Sequence, residues 1–299
     1  MSFKVSFEIR SPERGSSLEG HILKLIPLMA FQPVLVSIAN HHPEDNYSID
    51  NGNLIKNIRD KYPATYYFAI ALKERFKIEV VPHLLCNELE PGEIEDILIG
   101  FSYVGIKKVM ALRGDRLCNE GRYNNRYSHA DELVRHIKEF NVQYQSNFEI
   151  GIAGYPDVHP AAASQMEDLS YLKRKTALGA GFITTQLFLN NERFFAYLDK
   201  CRKMGVTIPI IPGLKLISDK QSLLWSKKRF HINIPVELKQ LMMRSIHKDD
   251  QFLIGVQWLF RQCVELINAG KKHLHFYIFS NEDLRGVLEV LSRLKTLYQ

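Results

Sequence analysis

Short runs rich in β-branched and aliphatic residues recur eight times along the chain, at 3–9, 34–39, 78–84, 108–112, 148–154, 182–186, 209–213 and 273–277. Longer amphipathic stretches separate them, at 53–76, 93–103, 130–140, 165–178 and 191–204. The segment 219–268 holds more than one helix, interrupted near Ile234-Pro235, and a last helix covers 281–297. Strand followed by helix, repeated, builds a parallel sheet, because a parallel partner is reached only through a crossover. Eight such units in 299 residues fit an α/β fold of the (β/α)8 (TIM) barrel type, with a doubly wound open sheet as competitor. No Pro-, Gly- or Ser-rich linker divides the sequence, so a single domain over 1–299 is expected.

The strand faces favour the barrel. Alternate side chains of a strand point to opposite faces. In the first run Phe3, Val5, Phe7 and Ile9 share one face, and Lys4, Ser6 and Glu8 the other. In the third, Val80, Pro82 and Leu84 oppose Glu79, Val81 and His83. In the last, Leu274, Phe276 and Ile278 oppose His273, His275 and Tyr277. The apolar faces suit covering helices. The others bring polar groups inward, whereas an open parallel sheet reads apolar on both faces.

Composition excludes several classes. Hydrophobic residues make up 45% and charged residues 24%, which is ordinary for a globular chain. No apolar run reaches the roughly 20 residues that cross a bilayer, and no membrane association is expected. The first residues alternate like a strand and lack the basic head and apolar middle of a secretory signal. Cys86, Cys118, Cys201 and Cys263 are far apart, so reduced thiols in the cytoplasm are expected. The net charge of +6 is spread along the chain, which argues against nucleic acid and leaves phosphorylated or carboxylate ligands as the natural partners.

Polar residues gather at or just after the strand ends, where barrel active sites lie. They are Glu8, His83, Arg113 with Asp115, Tyr155 with His159, Gln186 and Tyr277. Glu8 sits between Phe7 and Ile9; desolvation at a barrel mouth would raise its pKa and suit it to general-acid work. Taken alone, it reads first as an exposed strand-end carboxylate or a structural ion-pair partner. Gly114 in Ala111-Leu112-Arg113-Gly114-Asp115 lets backbone come close to a ligand, or makes an ordinary turn. Pro156 and Pro160 stiffen a loop carrying Tyr155 and His159, which holds a ligand or is merely a rigid turn. Lys173, Arg174 and Lys175 supply cations for a pyrophosphate, but successive helix residues diverge, so at least one faces solvent. No Gly-rich dinucleotide fingerprint, P-loop, metal-ligand spacing or nucleophile elbow is present.

Taken together these segments resemble the methylenetetrahydrofolate reductase family. The matching pieces are Val5-Ser6-Phe7-Glu8, Pro82-His83-Leu84 with Cys86, Ala111 to Asp115, and Tyr155-Pro156-Asp157-Val158-His159-Pro160. Leu172-Lys173-Arg174-Lys175, Thr185-Gln186, Ile210-Ile211-Pro212-Gly213 and His275-Phe276-Tyr277 continue the series in the family's order, over nearly the whole chain. The resemblance implies a barrel that holds FAD and reduces 5,10-methylenetetrahydrofolate to 5-methyltetrahydrofolate with NADH or NADPH, by ping-pong hydride transfer. It implies Glu8 as the general acid that opens the folate's imidazolidine ring. Asp115 would stand near the flavin's pyrimidine edge and the pterin. His83, Arg113, Gly114, Ala130, Tyr155, His159, Ala162, Asp168, Arg174 and Lys175 match FAD-lining positions. Gln186 and Tyr277 match the folate side.

The resemblance also implies a cytoplasmic enzyme of one-carbon metabolism and methionine biosynthesis, and a homo-oligomer by analogy. The chain ends after its eighth unit, so no regulatory domain and no control by S-adenosylmethionine are expected. Departures fall on the folate and nicotinamide side. Ala39-Asn40-His41-His42 stands where the family has Thr-Tyr-Gly-Ala, and Ser280-Asn281 where it has Asn-Arg. Ser222 and Ser226 replace a glutamine and a phenylalanine, Tyr171 replaces an asparagine, and Ile9-Arg10-Ser11 follows Glu8. These changes motivate a second reading, a non-catalytic or divergent flavin- or folate-binding homologue acting on a modified folate or with a partner electron donor. A third is a different barrel enzyme, such as an aldolase or lyase acting on a phosphorylated substrate through an interior lysine.

Overall fold

The computed structural model describes residues 3–13, 15–40, 45–50, 53–58, 64–86, 89–114, 127 and 129–298, the side chains of 45–50, 53–58 and 64 excepted. The strands of the main sheet are β1 (Lys4–Arg10), β2 (Leu35–Ala39), β5 (Val80–Leu85), β6 (Lys108–Leu112), β7 (Glu149–Gly154), β8 (Phe182–Thr185), β9 (Ile210–Ile211), β10 (Gly213–Lys215) and β11 (His273–Ile278). Their order is β10-β11-β1-β2-β5-β6-β7-β8-β9, and every pairing is parallel. The two ends of that order, β9 and β10, are consecutive in sequence and parted only by Pro212. Proline cannot donate to a ladder, so it breaks this strand in two. Its carbonyl still accepts from His275 N at 3.0 Å. Counted as one, β9 and β10 complete eight positions, and the sheet closes as a (β/α)8 barrel.

The helices follow their strands: α1 (Leu18–Met29), α2 (Ala64–Phe76), α3 (Pro91–Tyr103), α4 (Ala130–Gln143), α5 (Gln165–Ala177), α6 (Asn191–Lys203), α7 (Lys220–Phe230), α8 (Val236–Arg244), α9 (Lys248–Asn268) and α10 (Asn281–Leu297). Local chemistry sets their starts. Pro91 opens α3 at a position whose N–H would be unused, and Ser164 and Ser280 cap α5 and α10 through their hydroxyls. Pro235, extended at ψ 138°, separates α7 from α8, as the Ile234-Pro235 interruption predicts.

One expectation fails. Residues 53–76 are not one helix: β3 (Asp45–Asp50) and β4 (Asn53–Ile58) pair antiparallel, and α2 begins only at Ala64. Asn51-Gly52, between the paired strands, is a strong hairpin signal in sequence.

The two strand faces separate as read. Phe3, Val5, Phe7 and Ile9 pack outward with Leu274, Phe276 and Ile278, joined by Leu25 and Leu28 of α1 and Val287, Leu291 and Leu294 of α10. On the inward face Leu35, Val81, Met110, Phe182 and Ile211 form a smaller cluster. Beside it the interior is polar, with Ser6, Glu8, Ser37, His83 and His275 all buried. Cys86, Cys201 and Cys263 are free and buried, and Cys118 lies outside the described residues. Among the described residues no helix is long and apolar enough to cross a membrane, and no cluster suited to a metal ion occurs.

Candidate active site

Glu8 ends the inward row of β1 near the carboxyl-terminal rim and is 8% exposed. Its Oε2 lies 3.5 Å from His83 Nε2 on β5 and 3.7 Å from His275 Nε2 on β11. Burial raises its pKa above the usual carboxylate value, against the opposing pull of His83 and then Arg10. Burial also pushes His275 down to about 3, so that ring is neutral and gives the carboxylate no counter-charge at neutral pH. The result is a carboxylic acid able to keep its proton where an exposed glutamate would lose it.

A cleft opens on the same rim over the ends of β6 and β7. Ala111, Leu112 and Arg113 line one wall, Ala153, Tyr155 and His159 another, and the start of α4 with α5 closes it. Of the residues singled out in sequence, Arg113, Ala130, Tyr155, His159, Ala162, Asp168 and Lys175 line this one cleft. Tyr155 and His159 meet edge to face at 4.5 Å. Asp168 Oδ2 accepts from His159 N at 3.2 Å and ties the loop down; burial raises its pKa. Gly114 has φ 95°, a conformation that suits glycine and turns the chain sharply after β6. Asp115 lies outside the described residues.

The three adjacent cations divide as helix geometry requires. Lys173 is exposed. Arg174 sits at the edge, 2.9 Å from Asp131 and over the Tyr171 ring. Lys175 is half-buried in the cleft, where the hydrogen bond of its Nζ among the described residues is a long one, 3.4 Å, to Ala153 O. Burial lowers its pKa, and Asp168 then Asp131 pull the other way. A lysine so placed favours an anionic group beside it, since that restores the interaction water would have given. His129 and Asp131, also in the wall, were not singled out from the sequence. Their signal was weak: a helix start that polar residues mark anywhere.

Gln186 and Tyr277 are engaged within the protein. Gln186 Oε1 accepts from Leu187 N at 2.9 Å, and Tyr277 Oη donates to Thr185 O at 2.7 Å. Tyr277 is level with Glu8 in the ladder, on the inward face. A second rim cleft lies over the ends of β1, β10 and β11, lined by Arg10, Lys215, Trp225, Lys248, Phe279 and Arg285 among others. Arg10 stacks over Phe279 at 4.9 Å, and Lys215, the interior lysine, is held by Asp283 at 2.6 Å. Ser280 and Ser222 cap their own helices, and Ser226 is fully buried. His41 and His42 lie outside the described residues.

A family model described as methylenetetrahydrofolate reductase matches residues 2–295. The 5,10-methylenetetrahydrofolate reductase of Escherichia coli (strain K12) is 30% identical over 283 residues, 94% of this chain and 87% of the relative. A probable methylenetetrahydrofolate reductase (NADH) of Oryza sativa subsp. japonica is 31% identical over 232 residues, 73% of this chain and 38% of the relative. Among solved structures, an uncharacterized Clostridium thermocellum protein that binds two copies of 5-methyl-5,6,7,8-tetrahydrofolic acid superposes with a TM-score of 0.60. That match covers 99% of this chain and 96% of the other at 11% identity, which speaks to the fold alone.

Proposed function

The chain belongs to the methylenetetrahydrofolate reductase family, and on that premise we propose that it is an oxidoreductase reducing 5,10-methylenetetrahydrofolate to 5-methyltetrahydrofolate with NADH or NADPH. The cofactor is FAD, which when bound takes hydride from the nicotinamide and yields it to the folate in alternate half-reactions. The observation that carries this reading is the buried acid Glu8 on the same barrel rim as a cleft of cations, rings and alanines.

The β6–β7 cleft fits FAD by its donor set. Lys175 and Arg113 bring positive charge for a pyrophosphate, with Arg174 at the edge. Tyr155 and His159 offer flat faces, and Ala130, Ala161 and Ala162 keep the walls low enough for a ring system to lie between them. Asp115, outside the described residues, keeps only the role that the resemblance implies. Glu8 Oε2 delivers a proton to an imidazolidine nitrogen of the folate, which opens that ring to the electrophile that accepts hydride. The second cleft takes the folate's benzoyl-glutamate end: Arg10, Lys248 and Arg285 meet carboxylates, and Trp225 and Phe279 meet the ring. In this way cations of β1, α9 and α10 stand in for the arginine replaced at Ser280-Asn281. The place of such an enzyme is the cytoplasm, supplying methyl groups for methionine synthesis.

The test is spectroscopic. The purified protein is expected to be yellow, to bleach anaerobically with NADH or NADPH, and to recover its colour when methylenetetrahydrofolate is added. Glu8→Gln is expected to leave bleaching intact and to slow recovery by about 10²- to 10⁴-fold, the contribution of a positioned general acid. Bleaching that no methylenetetrahydrofolate reverses in the wild type refutes the substrate assignment.

A further inference from the structure

Three inward-facing side chains beneath Glu8 form a column that the chemistry above does not use. His273 opens β11 level with the exposed Lys4, at the amino-terminal end of the barrel, and is half-buried there. Its Nε2 lies 2.8 Å from Ser6 Oγ. The same hydroxyl lies 2.8 Å from His275 Nδ1. The far nitrogen of that ring, His275 Nε2, stands 3.7 Å from Glu8 Oε2 and makes no hydrogen bond among the described residues. Ser6 is 0% and His275 1% exposed.

A buried ring nitrogen left without a partner is costly. This one points at the carboxyl from just beyond hydrogen-bonding range, so a small rotation of Glu8 joins them. The column then runs unbroken from the foot of the barrel to the acid at its rim. At the rim, bound cofactor and substrate exclude water, and that side cannot readily return a proton to Glu8.

We propose that His273, Ser6 and His275 form a proton feed that recharges Glu8 from the amino-terminal end of the barrel. This rests on Glu8 acting as the acid. Once Glu8 is a carboxylate, His275 Nε2–H passes its proton to Glu8 Oε2. The Ser6 hydroxyl passes its own to His275 Nδ1, and His273 Nε2–H restores the hydroxyl. Water at the barrel foot then protonates His273 Nδ1. Each ring loses one proton and gains one, no electrons move, and the net change is one proton carried from solvent to Glu8. Rotation of the rings and hydroxyl returns the starting tautomers.

A neutral relay needs neutral imidazoles, and burial holds His275 at about 3 and His273 at about 4. The other groups facing Glu8 are His83, Arg10 and Tyr277, and Lys4 faces His273. None of these links Ser6 to solvent.

Time-resolved infrared after a pH jump reads the feed in the flavin-loaded protein with 5-methyltetrahydrofolate filling the rim, with Glu8→Gln identifying the Glu8 carboxyl band. Ser6→Ala is expected to slow reprotonation of Glu8 by about tenfold, with His273→Gln doing the same and Ser6→Thr restoring the rate. An unchanged rate in Ser6→Ala overturns the proposal. So does a Ser6→Thr variant as slow as Ser6→Ala, since packing and not the hydroxyl is then responsible. The readout needs no turnover: slowed reprotonation in a protein that never reduces methylenetetrahydrofolate keeps the feed and discards the substrate.

Discussion

Glu8 is placed where burial serves chemistry at the expense of stability. Its folded pKa is raised above the ordinary glutamate value of 4.5, mainly by desolvation. The folded state therefore holds a proton that the unfolded chain has released. Its contribution favours folding most below pH 4.5 and declines as pH rises through the raised value. Glu8→Gln is expected to melt at a higher temperature than wild type at pH 8, with the two curves converging near pH 4. A variant that is less stable throughout that range refutes this account. His273 and His275 have the opposite sign. Their folded values, about 4 and about 3, lie below 6.5, so their contribution is present above pH 6.5 and lost as pH falls toward 3. At this scale much of the site was legible. Glu8, Arg113, Tyr155 and His159 end or follow strands, where polar groups stand out from apolar surroundings, and Lys175 belongs to a run of three cations in α5. Asp131 and His129 were not legible, because what brings them to the cleft is the packing of α4 beside α5.

At the scale of elements, eight parallel strand positions follow from runs of β-branched and aliphatic residues, and their inward and outward faces from a period of two. The hairpin of β3 and β4 was lost inside a longer helical reading, since the helical pattern of 64–76 was extended backwards over a strand. How closely the helices lie was also hidden. Gly255, inside α9, rests directly on the Ile217 backbone, and a Cβ there would overlap the Ile217 carbonyl oxygen. Carbonyl and helix backbone cannot both give way. Gly255→Ala is therefore expected to cost about 1–3 kcal/mol, seen as a lower urea midpoint at constant slope. An unchanged midpoint would mean that α9 shifts freely over the barrel end.

The molecule as a whole depends on the seam where β9 breaks into β10. Pro212 gives up a ladder bond there, and two side chains stitch the gap. Thr185 Oγ1 accepts from Gly213 N at 2.9 Å, and Tyr277 Oη donates to Thr185 O at 2.7 Å. Tyr277→Phe leaves a buried carbonyl short of a donor and is expected to cost about 1–3 kcal/mol of stability, with the KM for methylenetetrahydrofolate unchanged. Denaturant unfolding beside steady-state kinetics separates the two: full stability with a raised KM would assign the hydroxyl to substrate instead. The alternation of strand and helix, the inward polar faces and the order of the motifs are properties of nearest neighbours along the chain, and the sequence alone determined them. The tertiary structure alone decided which imidazole nitrogen points at Glu8, which of three adjacent cations enters the cleft, and that Tyr277 turns to Thr185. Those outcomes depend on distances and desolvation between residues up to 269 positions apart, as with Ser6 and His275, and no local pattern encodes them.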